Sequence, residues 1–74
     1  MRKTVTKEQG KINTIVSELR NLMSEEPPKD KEIFLGYIGD ILCQFDTDIA
    51  IAVMDEFGQE GREISHGIKV RYGY

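Results

Sequence analysis

Residues 48–57, DIAIAVMDEF, and residues 63–74, EISHGIKVRYGY, decide the fold. The first contains six apolar residues in a row, Ile49 to Met54. A run this short suits a buried strand or a helix, and periodicity does not separate them. As a helix, Ile49, Ala52, Val53 and Phe57 share a face, Thr47 caps the start and Gly58 ends it. As a strand, Ile49, Ile51 and Val53 face one side and the alanines face the other. The second stretch tips the balance. Ile64, His66, Ile68, Val70, Tyr72 and Tyr74 alternate with polar residues and glycine, which is a strand pattern. A strand needs a partner for its backbone groups. The nearest candidate is 48–57, joined through Gly58-Gln-Glu-Gly61 as a hairpin loop. Asp55 falls on the inner face of that strand and argues against it. The expected fold is α+β, two antiparallel helices followed by a C-terminal β-hairpin with strands near 48–57 and 63–72. The alternative is a three-helix bundle with an extended C-terminal strand, which pairs with a second chain or a target.

Moving toward the N-terminus, residues 30–45 form the most apolar helical segment. At 100° per residue, Phe34, Leu35, Tyr37, Ile38, Ile41, Leu42 and Phe45 fall in one arc of about 160°. That is wider than a surface helix needs, so the segment is expected to be the centre that other elements cover. Asp30 is its N-cap, and Pro27-Pro28 exclude helix just before it. Gly36, Gly39 and Cys43 lie together on the other side, beside Asp40. They form a notch for another backbone, such as a second protomer, or more simply are tolerated glycines that admit a bulky side chain of the same chain. Before this, Ile12, Ile15, Val16, Leu19, Leu22 and Met23 mark a narrow stripe on a helix of about 7–24. Thr6-Lys7-Glu8-Gln9 has the form of a capping box, and residues 1–5 are expected to fray. A short connection then favours an antiparallel helix pair.

The 74 residues make one small domain, and chains of this size often gain stability from disulfides, metals or oligomerisation. One cysteine excludes an internal disulfide, and one histidine makes a zinc site unpromising. A homo-oligomer, most simply a dimer, is therefore expected. Cys43 within an apolar helix suits a reducing, cytoplasmic setting, and no apolar run approaches the roughly 20 residues needed to span a bilayer.

The net charge of −3 conceals a pattern. Residues 1–23 carry five cations and two acids, a net of +3. Residues 24–63 carry three cations and eleven acids, a net of −8. Residues 64–74 add two cations. An acidic middle between basic ends either docks on a basic partner or simply keeps the surface solvated.

Chemistry is thinly signalled. Cys43 and His66 are the only nucleophile–base pair on offer, and their flanks do not support it. Asp46-x-Asp48 begins like a calcium loop but lacks its glycine and closing glutamate. Gly36-x-x-Gly39 and Gly58-x-x-Gly61 lack the context of a phosphate loop. No catalytic residue, metal ligand or cofactor is expected. The leading expectation is a non-enzymatic protein-interaction module, a regulator or inhibitor, with Gly36, Gly39, Asp40, Cys43, Asp46, Asp48, Asp55 and Glu56 as contact candidates. The alternative is a small nucleic-acid-binding regulator that uses Lys69, Arg71, Tyr72 and Tyr74 beside its basic N-terminal residues.

Overall fold

Four helices account for the secondary structure of the computed structural model, which describes residues 7–74: α1 (Lys7–Glu25), α2 (Lys31–Cys43), α3 (Thr47–Asp55) and α4 (Gly58–Arg71). Residues 1–5 and the capping threonine Thr6 lie outside the described residues. The expected α+β fold with its C-terminal hairpin is overturned, because no strand occurs among the described residues.

The correction begins at α3. Asp46, in extended backbone, caps the helix with one carboxylate oxygen that accepts from the N–H of Asp48 (2.9 Å) and of Ile49 (3.2 Å). The cap is thus Asp46 rather than Thr47. Ala50, Ile51, Val53, Met54 and Phe57 are all buried. A helix that is apolar on nearly all sides belongs in the middle of a fold, and α3 is the helix that touches all the others. The six-residue apolar run therefore records burial on several sides rather than a strand.

With 48–57 helical, the C-terminal stretch has no strand to pair with, and it too winds into a helix. Its inward face is Gly61, Ser65 and Ile68, with Ile64 half-buried beside them. Ile64 and Ile68 are four residues apart, a spacing that satisfies both a strand and a helix. His66, Val70, Tyr72 and Tyr74, which complete the alternation, are exposed. The half of the helical face that identifies it is made of glycine and serine, which a hydrophobicity pattern does not register. Ser65 is buried, and its hydroxyl has no hydrogen-bond partner among the described residues.

The expected hairpin loop is a helix–helix corner. Gly58 takes a left-handed conformation at φ 74° and so reverses the chain after α3. Gly61 lies so close to the Met54 carbonyl that a Cβ there would collide with it, and Phe57 Cβ would be only 2.8 Å away.

The expected antiparallel pair of α1 and α2 is also corrected. α1 packs on α3 and makes no close backbone approach to α2. The two prolines of the connection favour extended backbone. Ile12, Val16 and Leu19 supply the buried face of α1. Arg20 reinforces the contact: its Nη2 donates to the Glu56 carbonyl oxygen at 3.0 Å, and its guanidinium lies 5.7 Å from the centre of the Phe57 ring. The radius of gyration is 12.6 Å, against about 11 Å for a compact chain of this length.

Candidate interaction surface

The α2 surface is set by where the helix starts. The Asp30 carboxylate accepts from the Ile33 N–H at 3.1 Å and so begins the helix at Lys31. From that origin Leu35 and Gly39 face inward. Ile33, Tyr37 and Ile41, at four-residue steps, face outward, and Phe45 extends the row just past the helix. Their exposures are 70%, 71%, 43% and 82%. The wide apolar arc of this helix thus divides into a covered half and an open half. In the sequence, Tyr37, Ile41 and Phe45 have the signature of core residues, and Ile33 lies just outside the arc. The signal available is the arc itself, too wide for the few elements a short chain has to cover it.

At the C-terminal end of the open row lies an apolar cavity of about 360 Å³, lined by Lys11 and Ile15 of α1, Leu42, Phe45, Asp46 and Ile49. It exists because α1 leans on α3 and leaves the space beside α2 unfilled.

The residues expected to form a notch separate. Gly39 is filled from within: a Cβ there would meet Ile64 Cγ2 at 3.2 Å, Ile68 Cδ1 at 3.5 Å and Met54 Sδ at 3.5 Å. The absent side chain lets α4 lie close on α2. A Cβ on Gly36 would meet nothing within 4 Å. Cys43 is half-buried. Burial, and next the Asp40 carboxylate, push its thiol above the ordinary value, while Arg71 opposes them.

The acidic candidates and the nucleic-acid candidates meet each other. Arg71 Nη1 donates to Asp40 Oδ1 at 3.2 Å, across α4 and α2. The hydroxyl of Tyr74 donates to Asp48 Oδ1 at 2.6 Å. That hydrogen bond first, and then desolvation, raise the phenol above its ordinary pKa. Asp46 serves as the α3 cap. Glu56 is exposed, with its carboxylate 4.0 Å from Arg20 Nη2. Asp55 at the end of α3, Lys69 in the last turn of α4 and Tyr72 just after it are all exposed. His66 is exposed on α4. Among the described residues, no group of three or more His, Cys, Asp or Glu side chains is gathered to hold a metal ion. No helix among them is long and apolar enough to cross a membrane.

Comparison with protein-family models, curated proteins and solved structures gives no match.

Proposed function

We propose that this chain is a small non-enzymatic protein-interaction module, a regulator or inhibitor that works by occupying a protein surface with the outer face of α2. The observation that carries this reading is the exposed row Ile33, Tyr37, Ile41 and Phe45. Contiguous exposed apolar surface of this kind marks protein–protein contact sites in soluble chains. Anchors repeated along one helix face are the format by which a helix enters a groove. Aromatic side chains are enriched at the centres of interfaces. The nucleic-acid alternative draws less support, because Arg71 and Tyr74 are engaged by Asp40 and Asp48.

The test is cross-linking capture by the tagged full chain, with Tyr37→Glu and Phe45→Glu compared against Glu18→Lys, an exposed control on α1. The expected outcome is a defined protein species retained by wild type and the control and lost with both α2 variants. Capture that is indifferent to the α2 substitutions would overturn the reading.

A further inference from the structure

We draw no further inference here: the strongest candidate, the exposed apolar row of Ile33, Tyr37, Ile41 and Phe45 on α2 with the apolar cavity at its C-terminal end, belongs to the interaction surface already described, and nothing in the structure shows what covers it.

Discussion

Glycines that look alike in the sequence differ by what a Cβ would meet. A methyl group added at Gly36, inside α2, would have nothing within 4 Å, whereas Gly61 is pressed against the Met54 carbonyl. Gly36→Ala is expected to raise stability by about 1 kcal/mol, the helix-propensity difference. Gly61→Ala is expected to lower it by about 1–3 kcal/mol, because the clash is with backbone that cannot swing aside. Urea midpoints of the two variants check both signs. The notch suggested by Gly36, Gly39 and Cys43 is legible in the sequence as a cluster of small residues. What fills Gly39, side chains of α3 and α4 that are 15 to 29 residues distant in the chain, is not, because that depends on how helices cross.

At the scale of the element, the C-terminal end shows how a local pattern and a tertiary contact can disagree. Residues 61–74 satisfy a period of two in their large residues and a period near 3.6 in Gly61, Ile64, Ser65 and Ile68. The second period prevails because small residues permit close helix packing, and because no strand among the described residues is there to satisfy an extended backbone. The end of this element is tied down by the Tyr74 hydrogen bond to Asp48. The folded phenol has a pKa above its ordinary 10.0. Its contribution to stability is therefore complete below that ordinary value and is lost as pH rises through the folded value. Tyr74→Phe is expected to lower the urea midpoint near neutral pH and to flatten its decline on the alkaline side. Cys43, also raised, acts in the same direction in both chains, so the difference between wild type and variant isolates Tyr74. Identical alkaline slopes would count against the hydrogen bond.

For the molecule as a whole, the helices are unequally held. α2, α3 and α4 approach one another closely in every pairing, whereas among the described residues the backbone of α1 closely approaches only α3, with Arg20 reaching Glu56 and Phe57 just beyond it. Its polar anchor, Arg20 with Glu56, joins two side chains that are 60% and 54% exposed and adds little. Amides of α1 are expected to exchange with solvent ahead of those in α3 and α4 under native conditions, through opening of α1 as a unit. Hydrogen exchange followed residue by residue checks the order, and uniform protection across all four helices would contradict it.

What the sequence by itself determined is the local grammar. The stripe of α1, the Asp30 cap and the break at Pro27-Pro28 are short-range effects of backbone sterics and helix period. They are readable because each depends on neighbours within a turn or two. Tertiary structure decided the rest. It chose helix over strand for 47–55 and 58–71, made α3 rather than α2 the centre, and left Ile33, Tyr37, Ile41 and Phe45 in the open. Those outcomes turn on which faces meet across the chain. An apolar side chain carries the same signal whether it is covered by its own fold or left for something else to cover.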